Sequence, residues 1–324
     1  MIAISSGQQI LRLGSRGSLL ARMQSRWVAS QLQRRHPGLQ VQLVVCRTTG
    51  DDIVNRPLHD IGGKGLFTKE LEEALLDGRV DLVVHSMKDV PVTMPLVDES
   101  ALAIAAVPWR ADARDVLVAR DRQTLRQLKE GATVATGSLR RRCQLLNIRP
   151  DLIVRPLRGN IDTRLASVAR GTYDAVVLAT AGIRRANLYN PETMCVIPTD
   201  ELLPAAGQGA LAVQCRANDV ETENLAAILN DARTRTCVEL ERAIVRELDG
   251  DCRSPIAAYA EIEQDDVLRL RAVVGCCGGE PGIIRAEARA PLAHAQDAFK
   301  KVSASLCEQH AHELLAAGAK ADAI

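Results

Sequence analysis

Apolar and polar positions along this 324-residue chain follow two alternating periods. Short β-branched and apolar runs read as buried strands: Ile10–Leu13, Val41–Cys46, Val80–Val84, Val116–Ala119, Thr133–Ala135, Leu152–Arg155, Tyr173–Ala179 and Leu211–Cys215. Between them apolar residues recur at helical spacing. Leu20, Met23, Trp27, Val28 and Leu32 give one inward face to a helix from Leu19 to Arg35, which Pro37-Gly38 ends. Thr68–Leu76, Leu125–Lys129, Leu139–Leu146, a segment opening at Asp162, Asn218–Asn230 and Cys237–Leu248 read as further helices. This alternation predicts an α/β protein with parallel pairing. The last part reads as α+β, with strands Ala257–Ile262, Val267–Val274 and Ile283–Ala290 before a helix from His294 to Ala317. The pattern restarts near Pro108-Trp109-Arg110, which suggests a boundary, and a prior of about 100–200 residues per domain gives two or three domains.

Composition narrows the function classes. Apolar residues are 47% and charged residues 25% of the chain, as in ordinary globular proteins. Lys plus Arg number 41 against 40 Asp plus Glu, so no global field recruits nucleic acid or an anionic membrane. Anion recognition must then come from local clusters. Nine cysteines, without a CxxC or Cys/His ligand pattern, predict reduced thiols, no metal site and a cytoplasmic setting. Met1 to Gln9 lack a secretory pattern, and the near-apolar run Ala101–Trp109 is too short to span a bilayer. Cys276-Cys277 read as part of a hairpin turn.

Candidate chemistry concentrates where strands end. After Val80–Val84 comes His85-Ser86-Met87-Lys88-Asp89-Val90-Pro91, where apolar character gives way to a hydroxyl, an ammonium and a carboxylate. In open α/β sheets ligands bind at the carboxyl ends of strands. An ordinary strand-to-loop exit would look the same in this heptapeptide. Gly62-Gly63-Lys64-Gly65-Leu66-Phe67 is a glycine-rich loop without the Ser or Thr of a P-loop, so it is either close to a ligand or a flexible surface loop. Two stretches share one design: strand, hydroxyl-bearing loop, helix start and adjacent arginine, at Leu13–Ser18 and Thr136-Gly137-Ser138 with Arg140-Arg141-Arg142. Free N–H groups and the helix dipole favour anions at such starts, although Ser138 could equally be a plain N-cap.

Arg16, Lys64, Lys88, Arg140, Arg141, Arg158 and Arg164 all fall in loops or at helix starts. Arginine forks match carboxylate or phosphate, so together these residues predict a small ligand with several negative groups. Nucleic acid fits poorly with only 2% aromatic residues and a near-zero net charge. Surrounding cations favour the carboxylate form of Asp89, which could stabilise a developing cation, accept ligand N–H groups or pass a proton to a leaving group. Cys252 stands in the loop Asp249-Gly250-Asp251-Cys252-Arg253-Ser254-Pro255, where Arg253 favours a thiolate and the aspartates oppose it.

Taken in order, these motifs together with Leu157-Arg158-Gly159-Asn160 and Gly207-Gln208-Gly209-Ala210 resemble the porphobilinogen deaminases, from Arg12 to about Ala317. The resemblance implies two α/β domains of periplasmic-binding-protein-like topology, residues 10–107 with 208–228 and residues 108–207, and a smaller α+β domain over 229–324. It implies a transferase that joins four porphobilinogen molecules head to tail, losing ammonia each time, to give hydroxymethylbilane. Growth would occur on a dipyrromethane cofactor held by a thioether to Cys252. By position Asp89 would be catalytic, steadying the azafulvene-like cation left by ammonia. Ser86, Lys88, Asp89, Thr136, Ser138, Arg140, Arg141 and Arg164 would hold the cofactor, and Arg16, Ser18, Arg158 and Arg164 the substrate. Lys64 and Phe67 would belong to a loop over the cleft. Porphobilinogen would be the partner of a cytoplasmic monomer, with no nucleic acid or membrane involved. The family commonly has Gly-Gly-Cys at the attachment site, where this chain has Gly250-Asp251-Cys252. The alternative is a cytosolic polycarboxylate-binding module of the same fold without catalysis, which has no use for Asp89 after Lys88 or for an accessible Cys252.

Overall fold

The computed structural model describes residues 3–5, 8–47, 68–92, 101–251, 254–276 and 282–321. The chain opens with β1 (Ala3–Ser5), β2 (Gln8–Arg16), α1 (Leu19–Arg35), β3 (Leu39–Cys46), α2 (Lys69–Leu76), β4 (Leu82–Ser86) and β5 (Leu102–Ala106). Next come β6 (Asp115–Ala119), β7 (Thr133–Ala135), α3 (Leu139–Ile148), β8 (Ile153–Arg155), α4 (Ile161–Ala169), β9 (Ala175–Ala179), α5 (Thr180–Arg185) and β10 (Met194–Val196). They are followed by β11 (Leu211–Arg216), α6 (Val220–Ala227) and α7 (Ala232–Glu247). The remaining elements are β12 (Ile256–Ile262), β13 (Val267–Gly275), β14 (Ile283–Pro291), α8 (Ala295–Glu308) and α9 (Ala311–Ala321).

By compactness the chain divides into two units, the first being Met1–Ala111 with Gly209–Arg235. Its sheet runs β1-β2-β4-β11-β5, with β3 also paired to β2. β2 is parallel to β3 and β4, whereas β11 arrives from far downstream and pairs antiparallel with β4 and β5. The central strands are buried on both faces, which is why Val80–Val84 reads as one apolar run. Leu82 and Val84 join Leu11, Leu13, Val28 and Leu32 on one side, and Val83 joins Leu71 and Leu75 on the other. Asp81, fully buried before β4, ties the strands together. It accepts from the Arg12 backbone N–H at 2.9 Å, Arg12 Nη2 at 2.7 Å and Arg216 Nη2 at 3.3 Å.

Three expectations are corrected in this unit. The loop expected at Gly14-Ser15-Arg16 is a continuation of β2. Gly14 is there because a Cβ would lie 2.8 Å from Val83 Cγ1, so the glycine permits close packing rather than a turn. The inward face of α1 consists of Ala21, Gln24, Ser25, Val28 and Leu32, and Trp27 is 41% exposed. The stripe is rotated because two of its inward positions are polar. The central strand itself starts and ends two residues later than expected, at Leu82 and Ser86, because Asp81 stands outside the ladder as an ion-pair partner.

The second unit comprises Asp112–Gln208 and Thr236–Ile324 and contains two sheets. One runs β10-β6-β9-β7-β8, antiparallel on the β6 side and parallel from β9 to β8. Leu117, Val134, Leu145 and Val177 fill one face, and Val116, Val118, Val176 and Ile183 the other. The second sheet is the antiparallel β12-β13-β14, against which α8 packs. The helix expected from His294 to Ala317 breaks into α8 and α9, with His310 at φ +59°. The fold class is the expected one, α/β with a smaller α+β part, but the pairing expected to be parallel is mixed, because β11, β6 and β10 pair antiparallel with their neighbours.

Candidate functional site

Asp89 lies in a single 3₁₀ turn, Met87–Asp89, directly after the carboxyl end of β4. It lines a pocket of the first unit together with Arg16, Gln24, Thr68, His85 and Ser86. β2 delivers Arg16 as its last residue, and α1 begins two residues after Gly17. Ser18 is the N-cap of α1, its Oγ accepting the Ala21 N–H at 3.3 Å. Gln24, on the inward face of α1, donates from Nε2 to Ser86 Oγ at 3.0 Å. Thr68 precedes α2, is fully buried, and its Oγ1 makes no hydrogen bond among the described residues. His85 is 5% exposed, and its Nε2 is 3.0 Å from Gln214 Oε1 on β11. Burial pulls its pKa down to about 4; the Gln214 bond and Asp89 oppose the shift, and Arg16 adds to it. The imidazole beside Asp89 is thus neutral at physiological pH. Lys88 shares the Met87–Asp89 turn and is half-buried.

In the second unit the expected residues gather around the start of α3. Thr136 follows β7, is 6% exposed, and accepts the Ser138 N–H on Oγ1 at 3.2 Å. Ser138 occupies the N-cap position, yet its side chain makes no cap bond, in contrast to Ser18. Arg140 and Arg141 are 4% and 6% exposed and converge on Asp115, the fully buried first residue of β6. Arg140 Nη2 donates to Oδ2 at 2.9 Å, and Arg141 donates to Oδ1 from Nη2 at 2.7 Å and from Nε at 3.2 Å. Arg140 Nη1 also donates to Leu203 O at 2.7 Å, and Arg141 Nη1 to Val177 O at 3.0 Å. Burial would push the Asp115 carboxyl up, but the two guanidiniums hold it far below the usual range. Burial pulls Arg140 below the ordinary arginine value, with Asp115 opposing. Two cations share one carboxylate, so a positive charge is left over in a dry place.

Arg158 lies in the connection between β8 and α4, and Arg164 on α4. Arg164 donates from Nε to the carbonyl of Gly159 at 2.9 Å, and Gly159 has φ +102°. Sequence reasoning did not single out Asp115, Gln24 or Thr68 as partners, although a lone acid opening an apolar strand and a polar residue inside a helix's inward stripe are readable signals. It also passed over Arg185, the last residue of α5, whose pKa burial pulls down to about 10. Lys64, Phe67 and Cys252 lie outside the described residues. Asp251 and Ser254, described residues before and after Cys252, exchange reciprocal bonds. The Asp251 N–H donates to Ser254 Oγ at 2.9 Å, and the Ser254 N–H to Asp251 Oδ1 at 3.1 Å.

This donor set suits a ligand carrying carboxylates. Buried guanidiniums exceed the carboxylate available to them, and Arg140 Nε has no partner among the described residues. A dipyrromethane, with acetate and propionate arms, meets that requirement. Two family models match the chain. They are porphobilinogen deaminase, dipyromethane cofactor binding domain, over residues 11–224, and porphobilinogen deaminase, C-terminal domain, over residues 235–308. Solved structures similar to the chain include the methionine binding protein MetQ, at 13% identity over 72% of this chain and 93% of that chain, TM-score 0.44. Another is the periplasmic aliphatic sulphonate binding protein SsuA from Escherichia coli, at 18% identity over 74% of this chain and 75% of that one, TM-score 0.40.

Proposed function

The chain belongs to the porphobilinogen deaminase family, and from that premise we propose that it condenses four porphobilinogen molecules head to tail into hydroxymethylbilane, releasing ammonia at each addition. The family makes it a transferase of tetrapyrrole synthesis with a dipyrromethane cofactor. The observation that carries the finer reading is Asp89, set at the end of β4 in a pocket with Arg16 and a neutral His85.

When bound, the dipyrromethane supplies the nucleophilic pyrrole carbon for chain growth, and its anchor in this reading is the Cys252 thiol. Asp89 contributes a carboxylate that accepts pyrrole N–H groups and stabilises the cation left on the substrate as ammonia departs. Neutral His85 adds no positive charge against that cation. Thr136, Ser138, Arg140, Arg141 and Arg164, with Ser86 and Lys88 in the first unit, hold the cofactor's acids. Arg16, Ser18, Arg158 and Arg164 meet the acids of the incoming substrate. Lys64 and Phe67 act from their loop. We divide the chain into domains 10–107 with 208–228, 108–207 and 229–324, supported by the two separate sheets of the second unit. We place the protein in a cytoplasmic setting, a reading supported by nine scattered cysteines that form no CxxC pattern.

The test is the intact mass of protein from a porphobilinogen-producing host, with and without Cys252→Ser. The expected result is an added mass of two linked pyrroles that the mutation abolishes. Asp89→Asn, loaded and folded, should then lose turnover by at least about a hundredfold. Unchanged turnover would remove Asp89 from the chemistry, and a bare mass with no turnover would favour a non-catalytic carboxylate binder.

A further inference from the structure

Asp115 lies outside every sequence motif tied to the ligand, yet it gathers two buried arginines of the second unit. Each of its oxygens takes a different guanidinium: Oδ2 takes Arg140, and Oδ1 takes Arg141. Gln208 Nε2 completes the set, donating to Asp115 Oδ1 at 2.9 Å and to Ala113 O at 2.7 Å. Asp115 and Gln208 are fully buried. The Gln208 backbone N–H donates to Ala205 O at 2.9 Å, and its neighbours Gly207 and Gly209 have φ +71° and +89°. The Gly207 N–H donates to Glu241 Oε2 at 2.7 Å, and Glu241 Oε1 accepts the Ala260 N–H of β12 at 2.8 Å.

The charge balance of this cluster decides its role. Leaving a buried charge without a counter-charge costs stability, and a bound anion would offset that cost. Here two guanidiniums meet one carboxylate, and the third side chain on that carboxylate is an amide. Gln208 orients Asp115 without adding the negative charge that would neutralise the pair. We propose that Asp115, oriented by Gln208, is a positioning residue that presents Arg140 and Arg141 as a preset receptor for one carboxylate of the dipyrromethane. This rests on the reading that Arg140 and Arg141 hold cofactor acids.

The experiment measures, by intact mass, the fraction of folded full-length protein carrying two pyrroles when made in a porphobilinogen-producing host. Thermal midpoints are recorded alongside. Asp115→Asn should lower that fraction about fivefold or more, and Asp115→Glu should recover part of the loss. Leu145→Ala, on the same helix but in the apolar core, controls for stability. It should lower the midpoint through a cavity while loading stays near native. If Leu145→Ala loses loading as Asp115→Asn does, the effect is general stability and the inference falls. Arg140→Gln and Arg141→Gln separate the two levels of the argument. Full loading in both would overturn the reading of the pair and the inference with it. Poor loading in both, with native loading in Asp115→Asn, would overturn the positioning role alone. Should Asp115→Asn not fold, Gln208→Leu decides: a partial loss of about threefold supports the role, and full loading refutes it.

Discussion

His85 is a buried group whose proton affinity depends on folding. In the native protein its pKa is about 4, against an ordinary value of 6.5, because burial opposes the imidazolium. As pH falls through 6.5 the unfolded chain binds a proton that the folded chain refuses. The stability contributed by this group is therefore complete above 6.5 and is lost progressively towards pH 4, with a slope approaching about 1.4 kcal/mol per pH unit. In urea unfolding between pH 7 and about 4.5, His85→Gln should show a shallower acid decline than the native protein. Parallel profiles would mean the imidazole is not kept neutral. At this scale the sequence was informative about types and silent about partners. Asp89, Ser86 and the arginines stood out because polar residues gathered where strands end. Gln24, Thr68, Asp115 and Gln214 did not, because a lone polar side chain in an apolar stretch looks the same whether it faces solvent or a buried histidine.

At the scale of elements, Gly14 has its effect through a neighbouring strand. An alanine Cβ there would sit 2.8 Å from Val83 Cγ1 and 3.3 Å from both Val80 methyls. Gly14→Ala should cost about 1–3 kcal/mol by overpacking β2 against β4, and Val83→Ala in the same chain should relieve part of that cost. Strictly additive urea-unfolding energies for the pair would show that the two strands do not meet at this point. The same glycine explains one misreading, since a glycine needed for close packing and one needed for a turn give the same local signal. The long periodic elements were legible: α1 has the bounds that its apolar spacing and Pro37-Gly38 predicted. Among the short ones, Thr133–Ala135 was read with its observed bounds, but others were not. β5 is alanine-rich, β10 has three residues, and α5 follows β9 with no intervening loop. The break between α8 and α9 at His310 carries no Gly or Pro, so only the backbone reveals it.

For the whole molecule, the near balance of 41 basic and 40 acidic residues means that its anion chemistry is local. The proposed cofactor holders fall in both units, Ser86 and Lys88 in the first and Arg140, Arg141 and Arg164 in the second. A group that binds only the native chain stabilises it. Each charge-assisted hydrogen bond adds about 1.5–3 kcal/mol, and the loaded carboxylates would also satisfy the surplus charge beside Asp115. For chains of this order one kcal/mol moves a thermal midpoint by roughly 2–4 °C, so loading should raise it by roughly 5–10 °C over Cys252→Ser. Both tryptophans, Trp27 and Trp109, lie in the first unit, so fluorescence reports that unit while far-UV circular dichroism reports both. If the holders in both units engage the cofactor, loading should shift both signals upward, and Arg140→Gln should shrink the shift seen by circular dichroism. A rise in circular dichroism alone, with the fluorescence transition unmoved, would remove Ser86 and Lys88 from the holding set and leave the second unit as its seat.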